Sequence, residues 1–587
     1  MPTLALRNLL IVTCTALAGC SLALNFETSQ CETDADCVAL GAEECSEGSC
    51  VFVESDDAGS QSVSIASSEA NNSSEAGAAS DVETTAPHAG AGGAGGSTAA
   101  PQGCTSTEQC VADNRNEPYI CPEPGAECLS LKTPECPLTF GDYDDDNALF
   151  VGAFLNLPAS APLSQMSVLN VKLAIKEFES AGGLPGGPLR TMRPLVMVAC
   201  RNEPDLLGTA ADHLINEVGV PAILAHLPSA ELKELFVDYA LPTGTFVINP
   251  GFADNSLTSL SSDGLFWHVI GDIRDVAPAY GPLLQRVETY VRGDSTEDLR
   301  VGMLVADRYA EQNIMDEIVP VLEFNGKSVS DNGSNFFSAT VTPMADDPDA
   351  DYSEVNTALL DFVPNIVIVL TREEFVYSIL PVIEQSWPYG TDAPPRPFYI
   401  VPTALSGNLD LLDFVSTTSY GATSGDKISR IVGVAPASAE DMSLYEQFLV
   451  RFRTAYPSFE NPAGFENFYD AVYLLANAMY AAGSVPEITG ADIARGMQRV
   501  VAGELDIDIG PSHISDGFSV LATGGAIRLN GTMGPSDFDP GVGARRGSGS
   551  VYCYLREGTT VTIAYDVLRY DQDSGELVGE LPCFEGF

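Results

Sequence analysis

Fourteen cysteines are the residues of this chain best placed for covalent chemistry. Cys14 lies in an apolar leader, and Cys20 closes the run Leu17-Ala18-Gly19-Cys20. The other twelve fall as Cys31, Cys37, Cys45 and Cys50; then Cys104, Cys110, Cys121, Cys128 and Cys136; then Cys200, Cys553 and Cys583. The first group is even in number, the second becomes even with Cys200, and Cys553 and Cys583 make a pair. That arithmetic predicts disulfides in an oxidising compartment, with connectivity open within each group. Zinc would call for tight Cys-x-x-Cys knuckles and a reducing compartment, and the clusters lack such knuckles. Ser229 offers a different chemistry. It follows the apolar run Ala222–Ala225 and opens a helical pattern at Ala230. A hydroxyl beside helix N-terminal amides suits a carboxylate or another polar oxygen, and it reads equally well as a plain N-cap.

Several other patterns do not complete a site. Asp142-Tyr-Asp-Asp-Asp146 begins like a calcium loop but lacks the following glycine, and its twelfth position is Ala153. Gly182-Gly-Leu-Pro-Gly-Gly187 follows a helix and precedes a strand, the wrong order for a dinucleotide loop, and reads as a helix cap plus turn. His88, His213, His226, His268 and His513 show no ligand spacing. No Gly-x-Ser-x-Gly elbow exists, and no serine or cysteine has a recognisable base beside it. The chain therefore reads as a protein without catalytic residues, metal or cofactor.

The elements that would position these groups change character along the chain. Residues 21–53 form a small cysteine module. Residues 54–103 are rich in Ser, Ala, Gly and Asp and include Gly90-Ala-Gly-Gly-Ala-Gly-Gly96, a flexible tether that cannot bury enough apolar area to offset its ordering entropy. Its reach is roughly 40 Å from chain statistics. Residues 104–147 make a second cysteine-rich segment, and the main body runs from 148 to 587. There the apolar runs Leu149–Phe154, Leu195–Ala199, Ala222–Ala225, Phe246–Ile248, Val301–Val305, Ile366–Leu370, Phe398–Val401 and Ile431–Val434 predict strands. Helical patterns lie between them at Ser167–Ala181, Leu206–Glu217 and Ala230–Tyr239, an alternation that predicts parallel sheets covered by helices. Phe465, Phe468, Val472, Leu475 and Met479 fall at three- and four-residue spacings, one core stripe of a helix. After about Ser515 the pattern predicts strands at Phe518–Leu521, Ala526–Leu529, Val551–Leu555 and Val561–Tyr570.

Charge and leader set the compartment. With 28 Lys+Arg against 81 Asp+Glu, the formal net charge is −53, and no basic run exists to gather nucleic-acid phosphates. Arg7 precedes an apolar stretch from Leu9 to Leu17 that is too short to span a bilayer and fits a signal peptide. Leu17-Ala18-Gly19-Cys20 resembles the lipobox of bacterial lipoproteins, which implies cleavage before Cys20, acylation of that cysteine, and a membrane contact through the lipid anchor only. Ser21 is similar to the residue found there in lipoproteins sent to the outer membrane. A plain signal peptide with an incidental cysteine is the other reading.

Four stretches carry a further likeness. They are Val151-Gly-Ala-Phe-Leu155 with Phe178-Glu-Ser-Ala-Gly-Gly183; Val198-Ala-Cys200-Arg-Asn-Glu-Pro204; Ala222-Ile-Leu-Ala-His-Leu-Pro-Ser229 with Ile248-Asn-Pro-Gly-Phe-Ala253 and Leu257-Thr258; and Tyr469-Asp-Ala471 with Leu529-Asn-Gly-Thr-Met-Gly-Pro535 and Phe538-Asp539. In this order the body resembles a type I periplasmic binding protein of the branched-chain amino acid/amide solute-binding branch. The resemblance implies two Rossmann-like α/β lobes joined by a three-strand hinge. Lobe one would be about 148–272 and 436–512, and lobe two about 273–435 and 513–587. Ligands of open α/β sheets bind outside the carboxyl ends of the strands, which leads to the same cleft.

The resemblance implies ligand contacts at Ser229, at the backbone of Gly251, Phe252 and Ala253, at Tyr309, at Thr371 and Arg372, and at Thr403. Each has a plainer reading: a cap at Ser229, a turn after Pro250, a surface tyrosine at Tyr309, an exposed cation at Arg372. Ala253 stands where amino acid binders often carry threonine. Thr403 stands where they carry an acid for the α-ammonium. Cys200 lacks its usual family partner near Pro228, which points it toward the 104–136 cluster. The expected function is capture of a small polar ligand, an amino acid or amide-like compound, for an ABC permease or a membrane sensor in the bacterial cell envelope. A surface scaffold or adhesion protein with a degenerate cleft is the rival. A polar cleft lining favours the first and an apolar filling the second.

Overall fold

The computed structural model describes residues 44–46, 49–51, 103–157, 162–186, 191–344, 346–388, 393–416, 427–459, 464–483, 487–557 and 560–583. The leader, Cys20, Cys31, Cys37 and residues 54–102 of the tether lie outside them. Contacts divide the chain into Met1–Gly96 and Ser97–Phe587. In the first unit, Glu44–Ser46 and Ser49–Val51 form an antiparallel hairpin in which Cys45 stands opposite Cys50. No helix among the described residues is long and apolar enough to cross a membrane.

The second unit holds two eight-stranded sheets. Both are built on five parallel strands, most of them short, largely buried apolar runs with helices between them; Phe336–Val341, at the edge of the second, is half-exposed. In the first lobe, strand Leu149–Leu155 lies between Leu195–Arg201 and Ala222–Ala225, followed outward by Phe246–Asn249 and Phe266–His268. In the second, Val301–Ala306 lies between Phe336–Val341 and Ile366–Leu370, followed by Phe398–Pro402 and Ile431–Pro436. Each core therefore has the order 2-1-3-4-5 in chain terms. The order reverses between the first and third strands, and the crevice for a ligand opens there. The two-lobed α/β class expected from the sequence is the observed one.

The chain passes between lobes three times: after Gly271–Asp272, through Pro436–Ala439, and between Ala544–Arg545 and Gly549–Glu557. The passages are bonded together. Ala437 N–H donates to Ser548 O at 2.8 Å, and Gly547 N–H donates to the Asp275 carboxylate at 3.2 Å.

Three placements differ from expectation. Ile514–Ala522 is a helix, not a strand at Phe518–Leu521. Ile514, Phe518 and Leu521 recur at four and three residues, and Phe518 packs on Tyr480 with ring centroids 4.3 Å apart. This helix, Leu529 and Phe538 join the core of the first lobe, so the third crossing falls near 546–548 and not at 513. The cysteine-rich segment also does not stand apart. Leu138–Phe140 is an antiparallel edge strand on Leu195–Arg201, and Ile120, Leu131 and Cys136 lie in the same core.

Helix Glu466–Ala481 is buried almost all round, more than its one apolar stripe suggests. Gly490–Val501 lies against it at Gly496, where a Cβ would stand 2.0 Å from Ala478 O. The pairs Cys104–Cys121, Cys110–Cys128, Cys136–Cys200 and Cys553–Cys583 are disulfides. The sulfurs of Cys104, Cys110 and Cys128 lie within 4.8 Å of one another, but two of these bonds consume them as thiolates.

Candidate functional site: the interlobe cleft

The reversal point in each sheet fixes which residues face the cleft. In the first lobe the residue after strand Ala222–Ala225 is His226, whose N–H donates to Phe154 O at 3.1 Å on the neighbouring strand. In the second lobe strand Val301–Ala306 is followed by Asp307, Arg308 and Tyr309, and strand Ile366–Leu370 by Thr371 and Arg372. Helix Tyr309–Ile318 lies against Ser229–Glu234 and Asn255–Thr258 of the first lobe.

Direct contacts cross between the lobes. Lys233 Nζ donates to the Tyr309 hydroxyl at 3.2 Å and lies 5.6 Å from its ring centre. Ser256, followed by Lys233, holds that phenol below its ordinary pKa. Arg372 Nε donates to Glu311 Oε1 at 2.8 Å, inside the second lobe. His226 is pressed down to about 4, first by desolvation and then by the Arg372 charge across the cleft. The imidazole is therefore neutral at pH 7. Its ring meets Phe468 edge-on at 5.0 Å.

Several polar atoms of this region are buried and have no hydrogen-bond partner among the described residues. They are His226 Nδ1 and Asp254 Oδ2 from the first lobe, and Arg308 Nη1, Glu311 Oε2 and Thr371 Oγ1 from the second. A buried, unpartnered polar group costs roughly 1–3 kcal/mol, so natural structures retain few without a use. Asp254 is otherwise the N-cap of Asn255–Thr258, accepting from Ser256 N–H at 2.8 Å. Thr258 then accepts from Arg274 at 2.9 Å, and Arg274 grips Asp272 through Nη2 at 2.7 Å and Nε at 3.0 Å. This chain of bonds runs from the cleft to the first crossover.

The sequence-derived contacts separate into two groups. Tyr309, Thr371 and Arg372 come together at the reversal point. Ser229 is nearby as the first residue of its helix, and no side-chain cap bond is made at that end, so the N-cap reading fails. Gly251 N–H donates to Asn249 Oδ1 at 2.7 Å in the first-lobe loop. Phe252–Ala253 pairs with Gly271–Asp272, and Ala253 is fully buried. Thr403 opens the short turn Thr403–Leu405 on an exposed edge, and no hydrogen bond among the described residues joins its side chain to the others. His226, Lys233, Asp254, Arg308 and Glu311 belong to the site without a sequence motif. Position past a strand at the reversal point is the signal for His226, Arg308 and Arg372.

No family model and no curated protein matches the chain. Solved structures do. The chain is similar to ABC-transporter solute-binding proteins. One is the branched-chain amino acid transporter substrate binding protein LivJ from Streptococcus pneumoniae in complex with isoleucine, at 16% identity, TM-score 0.48, over 72% of this chain and 99% of that one. Another is the solute binding protein from R. palustris in complex with benzoate, at 14% identity, TM-score 0.46, over 74% and 99%. Similar as well is a type 1 periplasmic binding protein from Bordetella pertussis Tohama I, at 11% identity, TM-score 0.48, over 72% and 100%. The two-lobed fold rests on the strand orders and crossovers above, independently of these likenesses.

Proposed function

We propose that this chain is an extracytoplasmic solute-binding protein that captures a small polar ligand between its lobes and hands the closed state to an ABC permease or a membrane sensor. The carrying observation is the set of unpartnered buried polar atoms from both lobes at the reversal points: His226 Nδ1, Asp254 Oδ2, Arg308 Nη1, Glu311 Oε2 and Thr371 Oγ1. They include donors and acceptors, which suits a ligand carrying both, such as an amino acid or amide-like compound. A ligand that contacts both lobes favours the closed state, and only that differential affinity drives closure. The polar lining favours this reading over a scaffold with an apolar-filled cleft. In the same reading, the leader is removed and Cys20 carries the lipid that holds the protein in the envelope, at the outer membrane, with residues 54–103 as its tether.

A thermal-shift screen of the oxidised protein tests it, with amino acids, amides, short organic acids, sugars and divalent ions as the library. At a hundredfold excess over Kd, binding stabilises by about 2.7 kcal/mol, a rise of several degrees. A selective hit that Glu311→Gln and Ser229→Ala abolish supports the cleft. Silence across the library, with the protein shown to be folded, overturns the reading.

A further inference from the structure

The three crossovers line a partly open cavity of about 210 Å³ that the interlobe site does not use. Its wall carries Arg545, Arg546 and Arg569 together with Asp272 and Asp275. In a chain with 28 Lys+Arg against 81 Asp+Glu, three guanidiniums on one cavity wall reverse the prevailing sign. Most of these charges are already matched. Asp272 is gripped by Arg274 at 2.7 Å. Arg569 stands 3.5 Å from Asp566 and donates to Ser438 O at 2.8 Å. Arg546 faces Asp537 at 3.4 Å and Asp539 at 3.8 Å, with its side chain 59% exposed.

Arg545 is different. Its Nη2 donates to the carbonyls of Met533 and Pro535, and no carboxylate of the described residues forms an ion pair with it. Burial disfavours its charged form, with Asp470 and Asp537 too distant to do more than oppose that partly. A partly buried guanidinium in a concave place and without a counter-ion is a receptor for an oxyanion.

We propose that this hinge cavity is a second binding site, which takes a small oxyanion, inorganic or carboxylate, between Arg545 and Arg546. The volume admits such an ion with part of its hydration shell. Arg545 ends the last strand of the first lobe, whereas Asp275 and Arg569 belong to the second. The anion therefore sits where the lobes rotate against each other. Rotation changes its distance to the wall, so its affinity differs between open and closed states and it biases closure.

The test uses the full chain, sulfate as the inorganic probe and succinate as the carboxylate probe, each against chloride at matched ionic strength. Thermal unfolding and calorimetric titration are read together. The expected result is a saturable rise in the midpoint of several degrees at a hundredfold excess over Kd. Arg546→Gln, at a side chain that is 59% exposed, removes that rise, as does Arg545→Gln. Arg372→Gln, in the cleft, keeps it, which separates this site from the interlobe reading. A response to sulfate alone marks an inorganic site, and one to succinate alone a carboxylate site. A rise that never saturates and is equal in wild type and Arg546→Gln marks exclusion of sulfate from the protein surface and overturns the proposal. No rise with either probe overturns it too.

Discussion

The Lys233 ammonium donates to the Tyr309 hydroxyl across 3.2 Å, joining a helix of the first lobe to a helix of the second. Tyr309 is 43% exposed, so the bond is worth little in water, about 0.5–1.5 kcal/mol. A hinge equilibrium is sensitive to that amount, because 1.4 kcal/mol is a tenfold change in the ratio of states. Tyr309→Phe is expected to raise the open population of the ligand-free protein with little change in its melting temperature. Small-angle scattering checks this: the radius of gyration rises in the variant, and an unchanged value shows that the contact does not hold the lobes.

His226 and Arg372 give a prediction in pH. Burial and the Arg372 charge hold the imidazole at about 4 against an ordinary 6.5. The unfolded chain thus binds the proton first as pH falls, so this group withdraws stability between about pH 6.5 and 4 and nothing further below. His268, fully buried and held at about 3, acts in the same direction over a wider span. In Arg372→Gln the His226 midpoint is expected to move up but to stay below 6.5, since desolvation, the larger cause, remains. Ring proton shifts in a chain with five histidines can follow it; an unmoved midpoint shows that the charge does not reach His226.

The second lobe has its own buried charge cluster. Glu384, 2% exposed, accepts from Arg430 twice at 2.8 Å, from Arg396 at 3.0 Å and from Tyr399 at 3.0 Å. Burial pushes its carboxyl up, but Arg430 and then Arg396 carry it below the ordinary range. Glu384→Ala leaves two guanidiniums uncompensated and is expected to cost about 3–5 kcal/mol. Denaturant unfolding checks the size, and Glu384→Gln, which keeps hydrogen-bond acceptance, should lose less.

The Cys136–Cys200 bond closes a separation of 64 residues. Chain-entropy estimates put such a link at about 4 kcal/mol. The double variant Cys136→Ser with Cys200→Ser should lose that order of stability in the first lobe, while the cleft contact between Lys233 and Tyr309 persists. Equal midpoints for variant and parent in oxidising buffer would show that the edge strand Leu138–Phe140 docks without help.

The strands were legible because their runs are buried on both faces. Ala222–Ala225 and Ile366–Leu370 are found with the very limits that their apolar stretches suggest. Ile514–Ala522 was not, since a short apolar run of aromatic and branched residues has the same composition in a strand or a buried helix. In the site, Tyr309 and Arg372 follow visible strands and so could be placed. Lys233 and Glu311 lie within helices, where a lone charge looks like a solvated face; only the approach of two lobes distant in sequence gives them a role. Thr403 rested on likeness to other binders, and a likeness transmits position without transmitting contacts.

The docking of the cysteine-rich segment has a mechanical consequence. Residues Ile120, Leu131 and Cys136 lie in the core of the first lobe, and Arg201 N–H takes Glu135 O at 2.8 Å. The described part of the second unit therefore begins on that lobe. Load entering at this segment passes first into that lobe, and reaches the second lobe through the three crossovers and through helix Tyr309–Ile318, which lies against Ser229–Glu234 and Asn255–Thr258. Under tension at this segment the first lobe takes up the load directly, and the second lobe feels it only through those links.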